Sequence, residues 1–347
     1  MAQSPLADGL FMPAEWEPHG RCWMAWPCRL ELWGSGLMAA QVAYAGVARA
    51  ISQFEPVTMI VPPGTEREAG LTCGRSVDIV AEPIDDSWTR DTGPSFVVDG
   101  EGGVAAVHWQ FNGWGNKYHD HDRDRLLGRR IAEWLDMPIY EAPIVAEAGA
   151  FHVDGHGTLM ATEQCLFNTN RNPLLSGREI EQQLTQYLGV SRFLWLGEGL
   201  VDDETDGHVD NVACFVRPGV VALAMPADQS DPNWPILQDS LVRLNASKDA
   251  AGRAIEVVEI PHPAHLAGDD GRALARSYVN FYIANGGVVM PSFGDPADEP
   301  ARQAVVSLFP DRKVVQVPAG DIVKGGGGIH CITQQQPAGQ PWPAPGG

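Results

Sequence analysis

Apolar residues recur at three- and four-residue spacing in five segments of the chain, which predicts five α-helices. The strongest pattern covers residues 36–53, an Ala-rich stretch. The other four segments are residues 122–136, 176–188, 233–246 and 297–308. Several of them begin with Ser, Asp or Asn, the residues that favour a helix N-cap.

Short β-rich segments lie between these helices and several form hairpin patterns around a turn, as in residues 213–223. The predicted strand segments are residues 57–63, 77–83, 95–100, 103–111, 157–168, 193–199, 212–226, 255–261, 279–293 and 313–319. Groups of strands that are each followed by one helix predict an α/β protein built from five loosely similar modules. No low-complexity linker divides the chain, so we expect one domain over residues 1–347, with an irregular Pro-rich tail at 334–347.

Charge narrows the classes of partner. The 347 residues include 44 acidic and 24 basic side chains, a formal net charge of −20. Nucleic acids and anionic membranes attract positive surfaces, so neither is an expected partner. A small cationic substrate is compatible with this charge, although an ordinary acidic surface also accounts for it.

Neither a membrane span nor an export signal is evident. The chain has no stretch of about 18 uncharged apolar residues, and its first residues lack a basic start and an apolar core. The six cysteines are scattered, without a Cys-x-x-Cys pair, which indicates free thiols in a reducing compartment. We therefore expect a cytoplasmic protein.

Two polar segments of the first half are candidates for chemistry. In residues 84–94, Asp91 and Arg90 lie beside Trp88 in a turn after a predicted strand, and a structural ion pair is the alternative interpretation. Residues 146–158 contain two histidines, four residues apart, next to Glu147. The glycines and small residues disfavour a helix, so the spacing that would place both rings on one metal is missing, and we expect no metal site.

Two further segments lie in the second half. Residues 198–215 hold six carboxylates and no lysine or arginine, and His208 and Asp210 lead directly into an apolar strand. A histidine beside a carboxylate can perform acid–base chemistry while a cation is bound. In residues 324–337, four glycines precede His330 and Cys331. A cysteine with so little bulk around it is the natural nucleophile candidate, whereas the other five cysteines have apolar or aromatic neighbours typical of packing.

Long motifs, in one order along nearly the whole chain, resemble those of the agmatine deiminase family. This family belongs to the guanidine-modifying (pentein) superfamily and is related to bacterial peptidylarginine deiminases. The matching segments are residues 12–34, 85–94, 111–118, 152–173, 202–211, 277–291 and 328–337.

The resemblance implies a five-bladed α/β propeller, the pentein fold, in which pseudo-symmetric ββαβ modules surround a central active site. It also implies hydrolysis of agmatine to N-carbamoylputrescine and ammonia through a covalent amidino-cysteine intermediate, in polyamine (putrescine) metabolism. No metal or organic cofactor is implied. The oligomeric state stays open, with a homo-oligomer among the alternatives.

The resemblance assigns roles to five residues of the four polar segments. The nucleophile is Cys331, the general acid and base is His208, and the guanidinium-binding carboxylates are Asp91, Asp210 and Glu147. These carboxylates are expected to raise the pKa of the Cys331 thiol, so that a cationic substrate helps to form the thiolate. For the amine tail of the substrate we predict Trp88 and Asp85, solely because they are near Asp91 in sequence.

The sequence departs from the family pattern at three positions. Ala148 replaces a glycine beside Glu147, Gly328 replaces an asparagine near Cys331, and His156 occupies a position often held by glutamate.

Two alternative functions remain. A deiminase for arginine or peptidyl arginine is disfavoured because the predicted site segments offer acids and an indole, which suit an ammonium. A catalytically silent polyamine-binding protein is disfavoured by the complete set of reactive side chains.

Overall fold

Five long helices alternate with groups of strands in the structure, a computed structural model that describes residues 4–268, 271 and 273–343. The helices are α1 (Leu30–Trp33), α2 (Leu37–Ile51), α3 (Glu66–Cys73), α4 (Thr89–Thr92), α5 (Gly113–Asn116), α6 (Asp124–Trp134), α7 (Glu163–Leu166), α8 (Gly177–Leu188), α9 (Trp234–Asn245), α10 (Asp298–Leu308) and α11 (Gly320–Val323). The strands are β1 (His19–Ala25), β2 (Val57–Val61), β3 (Val77–Ala81), β4 (Ser95–Val98), β5 (Gly103–Gln110), β6 (Ile139–Val145), β7 (Phe151–Val153), β8 (Thr158–Thr162), β9 (Arg192–Leu196), β10 (Ala213–Arg217), β11 (Val220–Met225), β12 (Glu256–Pro261), β13 (Tyr282–Ala284), β14 (Gly287–Ser292), β15 (Lys313–Pro318), β16 (Gln334–Pro337) and β17 (Gln340–Pro341).

The five predicted helices correspond to α2, α6, α8, α9 and α10. Helix α8 shows the expected start, because Ser176 and Glu179 form a reciprocal capping box. Helix α2 buries one stripe of its surface, including Ala40, Tyr44 and Ile51, as its three- and four-residue spacing requires.

Five small sheets among the described residues share one topology. In each sheet an antiparallel pair comes first, and a helix then leads to a parallel third strand. The successive units are β4–β5–α6–β6, β7–β8–α8–β9, β10–β11–α9–β12 and β13–β14–α10–β15. The fifth unit joins both ends of the chain, because β16 pairs antiparallel with β1, which pairs parallel with β2 across α2.

Helices connect consecutive sheets by packing on the last strand of the preceding unit. Helix α8 packs on β6, α9 on β9, α10 on β12 and α2 on β15. Apolar side chains fill the space between helices and sheets, and the cluster around α2 contains Tyr44, Met59 and Val317. The fold is thus a mixed α/β arrangement of several small sheets. Among the described residues, no helix is both long and apolar enough to cross a membrane.

The prediction of an irregular tail is wrong at its start. Residues 334–337 form the buried strand β16, whose glutamines are paired with β1. Their polar side chains gave no strand pattern, although the glutamines form hydrogen bonds, such as the one Gln336 accepts from Trp23 Nε1 at 3.0 Å. The last four residues of the predicted tail, 344–347, lie outside the described residues.

A chain that ends after Thr333 tests the closure by β16. It loses the four residue pairs between β16 and β1, and at about 1 kcal/mol net per backbone hydrogen bond we expect several kcal/mol of destabilisation. Urea unfolding followed by circular dichroism measures this loss. A chain that ends after Pro343 retains β16 and serves as the control; equal stability of the two chains would contradict the closing role of β16.

Candidate active site

In each of the five sheets, a polar side chain of the site lies just before the first strand. Asp91 lies just before β4 and Glu147 just before β7. Asp210 precedes β10, Asn280 precedes β13 and Cys331 precedes β16. The shared topology therefore delivers five polar residues from distant parts of the chain to one cluster.

The Cys331 thiol is buried, with 5% of the residue exposed, among hydrogen-bond donors and acids. Its Sγ accepts hydrogen bonds from the Gly328 N–H and from Asn280 Nδ2, each at 3.3 Å. Sγ also lies 3.5 Å from Asp210 Oδ2. Burial, together with the charges of Asp210 and Asp91, raises the pKa of the Cys331 thiol well above its usual value, in the direction predicted from the sequence.

Close packing explains why residue 328 has no side chain. A Cβ at this position would lie 2.3 Å from Asn280 Oδ1, so the glycine leaves room for the amide that contacts Cys331. Ala148, another departure from the family pattern, is buried beside Glu147. The third, His156, is on the exposed turn after β7.

His208 lies between two carboxylates. Its Nδ1 is 3.8 Å from Asp91 Oδ1, and its Nε2 is 3.9 Å from Glu147 Oε2. Among the described residues neither ring nitrogen has a hydrogen-bond partner, although the side chain is buried. Burial opposes the charged ring, but the Asp91 carboxylate prevails and raises the pKa of His208 well above its ordinary value. The imidazole is thus protonated at neutral pH and has two unused N–H groups.

Asp91 is held by the protein through both oxygens. Oδ1 accepts from the Gly149 N–H at 3.0 Å, and Oδ2 accepts from Trp114 Nε1 at 2.9 Å. Trp114 has a positive φ of 53°, an uncommon conformation for a bulky residue, and it marks a strained turn directly at the site. Burial raises the pKa of Asp91 to about 6, so this carboxylate is ionised at neutral pH.

Glu147 and Asp210 each have one oxygen bound to a buried cation. Glu147 Oε1 accepts from Arg171 Nε at 2.8 Å, and Asp210 Oδ2 lies 2.8 Å from His330 Nδ1. Burial disfavours both charges, but these neighbours lower the pKa of each carboxyl below its ordinary value. The second oxygens, Glu147 Oε2 and Asp210 Oδ1, have no hydrogen-bond partner among the described residues.

His330 was not among the predicted site residues. It belongs to this network together with Glu15 and His152. Its Nε2 lies 3.0 Å from Glu15 Oε2, which is 3.5 Å from His152 Nε2. These three side chains are close enough for a metal ion. However, His152 Nδ1 accepts the Phe215 N–H, so the ring proton is on Nε2 and points to Glu15 as a donor. His156, the other histidine of residues 146–158, is exposed on a turn and lies apart from this group.

A small cavity opens onto Cys331. It is lined by Trp88, Asp91, Trp114, Tyr118, Glu204, Thr205, Gly325, Gly326, Gly327 and Cys331. Trp88 therefore lies where the sequence predicts, with its ring stacked on Trp33. Asp85 does not: its carboxylate accepts the Arg123 N–H at 2.8 Å and lines a separate cleft. The acid of the cavity that sequence proximity missed is Glu204, which accepts from the Tyr118 hydroxyl at 2.7 Å.

The profile of the Porphyromonas-type peptidyl-arginine deiminases matches residues 11–337. The chain belongs to this family. An agmatine deiminase of Pseudomonas aeruginosa is 47% identical over 96% of this chain and 97% of that protein. An agmatine deiminase of Stutzerimonas stutzeri is 45% identical over 97% and 98%. The solved agmatine deiminase of Enterococcus faecalis superposes with a TM-score of 0.94 at 39% identity, covering 97% of this chain and 98% of that one.

These findings confirm the family that the motifs predicted, and the chain is an enzyme of the deiminase type. The roles of individual residues remain predictions, which the geometry allows us to sharpen. Arg171, Asn280 and Trp114 belong to motifs that carried the resemblance, but no spacing rule linked them to the site. Glu15, more than 300 residues before His330, gave no signal of its own.

Gly149 provides a direct test of the cluster. A Cβ here would lie 2.5 Å from His208 Nδ1, 2.8 Å from Asp91 Oδ1 and 3.2 Å from Asp210 Oδ2. We expect Gly149→Ala to lower deiminase kcat/KM at least about 100-fold, because reacting groups tolerate little displacement. Ala148→Gly alters the adjacent residue without filling this space and should retain activity. Comparable kinetics of the two variants would contradict this placement of the reacting groups.

Proposed function

We propose that this chain is an agmatine deiminase, which hydrolyses the guanidinium of agmatine to N-carbamoylputrescine and ammonia in polyamine metabolism. The observation that carries the proposal is a buried thiol 3.5 Å from the Asp210 carboxylate, in a cluster where Glu147 and Asp210 each have one oxygen without a hydrogen-bond partner among the described residues. Buried acceptors of this kind are costly unless a ligand supplies donors. A planar guanidinium offers several N–H donors and a positive charge to both carboxylates at once.

The proposed reaction begins when the guanidinium enters between these carboxylates and Asp91. Its positive charge opposes the effect of the acids on Cys331 and favours the thiolate. The thiolate adds to the guanidinium carbon, and His208, protonated at neutral pH, donates its proton to the departing nitrogen, which leaves as ammonia. An amidino-thioether then remains on Cys331.

The second half of the reaction uses His208 in the opposite direction. The neutral ring accepts a proton from a water that attacks the amidino carbon. Collapse of the tetrahedral species forms the urea group of the product and releases the Cys331 thiolate. Side chains alone supply the nucleophile, the acid and the base.

The cavity lining supports an amine tail over an amino-acid tail. None of the described residues that line the cavity is basic, whereas Glu204, Trp88 and Tyr118 suit an ammonium. We place the ammonium of agmatine near Glu204, which replaces Asp85 in this role. Free arginine would need a cation for its carboxylate. Arg29 and Lys324 line a wider groove outside this cavity, which makes arginine the second candidate to test.

We also infer that the five sheets are blades of a propeller around this site. The inference is supported by the common position of the five residues, each just before the first strand of its sheet. A pseudo-symmetric arrangement places such equivalent positions around one axis.

Ammonia release tests the substrate. We expect the enzyme to release ammonia from agmatine in preference to arginine and to a blocked arginine peptide, and Cys331→Ser to lower the rate at least about 1000-fold. Cys22→Ser, which alters a buried cysteine of strand β1, controls for general effects of thiol loss. Release from arginine but not from agmatine would overturn the assignment.

Alkylation of Cys331 tests the role of substrate charge. Because the pKa of the free thiol is raised, the thiolate forms only as pH rises towards that pKa. Iodoacetamide should therefore react slowly with Cys331 at neutral pH and faster as pH increases. A slow cationic guanidine analogue should shift this rate profile to lower pH. Identical profiles with and without the analogue would show that the cation does not promote the thiolate.

A further inference from the structure

The two carboxylates with unpartnered oxygens share a second feature. Glu147 accepts from Arg171 through Oε1, and its Oε2 has no hydrogen bond but lies 3.9 Å from His208 Nε2. Asp210 contacts His330 through Oδ2, and its Oδ1 has no hydrogen-bond partner among the described residues. In each case a buried cation binds one oxygen and thereby fixes the direction of the other. Segments from different sheets provide the two cations, so the pattern does not arise from one local turn.

We propose that Arg171 and His330 are positioning residues for the reaction, which orient Glu147 and Asp210 so that one oxygen of each meets the guanidinium. The proposal rests on the proposed function in that the ligand is a guanidinium. It goes beyond that function by assigning roles to two residues that do not line the cavity.

Arg171 is held rigidly enough to define the orientation of Glu147. It is 3% exposed, and its other guanidinium nitrogens donate to Asp206 Oδ2 at 2.6 Å, to the Thr205 carbonyl at 2.9 Å and to Asn170 Oδ1 at 2.9 Å. A fork that is engaged on every side cannot follow a rotating carboxylate.

His330 is fixed from both sides of its ring. Nδ1 faces Asp210 and Nε2 faces Glu15, both acceptors when ionised, so both ring nitrogens donate and the ring is an imidazolium. Glu15 Oε1 accepts the Ile283 N–H at 2.8 Å, and the His330 N–H donates to Asn280 Oδ1 at 2.8 Å. Burial and the charge of Arg90 oppose this protonation, whereas the two carboxylates raise the pKa of His330 above its ordinary value.

A purely structural role predicts a different outcome. If the two cations only neutralise buried charge, their loss lowers stability but leaves the affinity of the folded protein unchanged. If they orient the carboxylates, their loss weakens guanidinium binding only while the carboxylate that each one orients is present. Double-mutant cycles separate these cases because non-additivity reports a shared pathway.

The first cycle combines Arg171→Met with Glu147→Gln. All variants carry Cys331→Ser to prevent turnover, and the dissociation constants of agmatine, arginine and a blocked arginine peptide are measured by calorimetry. We expect Arg171→Met to raise the Kd of the bound guanidine at least about 10-fold, but less than about 2-fold once Glu147 is Gln. Arg171→Lys, which retains the charge but not the fork, should give an intermediate loss and provides a milder variant if Arg171→Met unfolds.

The second cycle combines Glu15→Gln/His330→Leu with Asp210→Asn. The paired change removes one positive and one negative charge, so no unpaired carboxylate is left beside residue 330. We expect the paired change to weaken guanidine binding when residue 210 is Asp. When Asp210 is replaced by Asn, the paired change should cause no further loss. Glu15→Gln alone retains the contact between His330 and Asp210 but weakens the second contact that fixes the ring, so it should raise Kd less than the paired change does.

Arg276→Met is the matched control for loss of a buried arginine. Arg276 is buried and pairs with Asp295 at 3.2 Å, outside the site. It should lower the melting temperature without a change in Kd. Equal losses of affinity with and without the carboxylates, or unchanged affinity in the Arg171 and His330 variants, would overturn the positioning role. Binding of arginine but not agmatine by Cys331→Ser would overturn only the substrate, and binding of no guanidine would overturn both proposals.

Discussion

The burial of three carboxylates beside a thiol is the constraint on which the rest of the site depends. Asp91, Glu147 and Asp210 are each at most 5% exposed, as is Cys331. An uncompensated charge in such surroundings is strongly unfavourable. The protein compensates only in part, through Arg171, His330, the protonated His208, an indole N–H and a backbone N–H. The remaining acceptors match the proposed ligand, a cation with several N–H donors.

The topology explains how such a cluster can be assembled at all. No local motif could bring three acids and a thiol together, because residues close in sequence diverge along a strand or turn. Instead, equivalent segments just before five first strands supply one residue each. Pairing of β16 with β1 is decisive, since it holds the segment that carries Cys331 against the beginning of the chain. Arg90 strengthens this junction by donating to the His330 carbonyl and to Gln335 Oε1.

The sequence was sufficient for the five long helices and for most strands, but no predicted strand segment covers β1, β6 or β7. Each long helix has one apolar stripe, and most predicted strands have both faces buried, so their patterns were clear. Strand β16 was missed because its core positions are glutamines, which form hydrogen bonds with separate partners: Gln334 Nε2 donates to the Pro94 carbonyl, for example. Binary patterning cannot anticipate a polar core whose partners lie more than 200 residues away.

Residues of the site also divide into those that the sequence predicted and those that it missed. Cys331 and its reactive neighbours were predicted from motifs that resemble those of the family. Asp85 was predicted from proximity in sequence alone. The turn after β3 instead directs Asp85 to the start of α6. Glu204 reaches the cavity from a segment that composition alone describes as a solvated acidic loop. Such loops acquire their role from the tertiary contacts that fix them, here the hydrogen bond from Lys117 to Asp206 Oδ1 and that from Tyr118 to Glu204.

The partial compensation of the buried carboxylates also explains how the site could favour a planar cation over a compact one. An ammonium could neutralise this site, but it is a compact point charge without preferred directions in a plane. Once a cation of the protein fixes one oxygen of Glu147 and another fixes one of Asp210, the two remaining oxygens accept only from the directions left to them. In the proposed complex, a planar, delocalised fork serves both oxygens and holds its central carbon beside the Cys331 sulfur. The electrostatic demand of the buried carboxylates and the orientation needed for the proposed attack are then met by the same contacts.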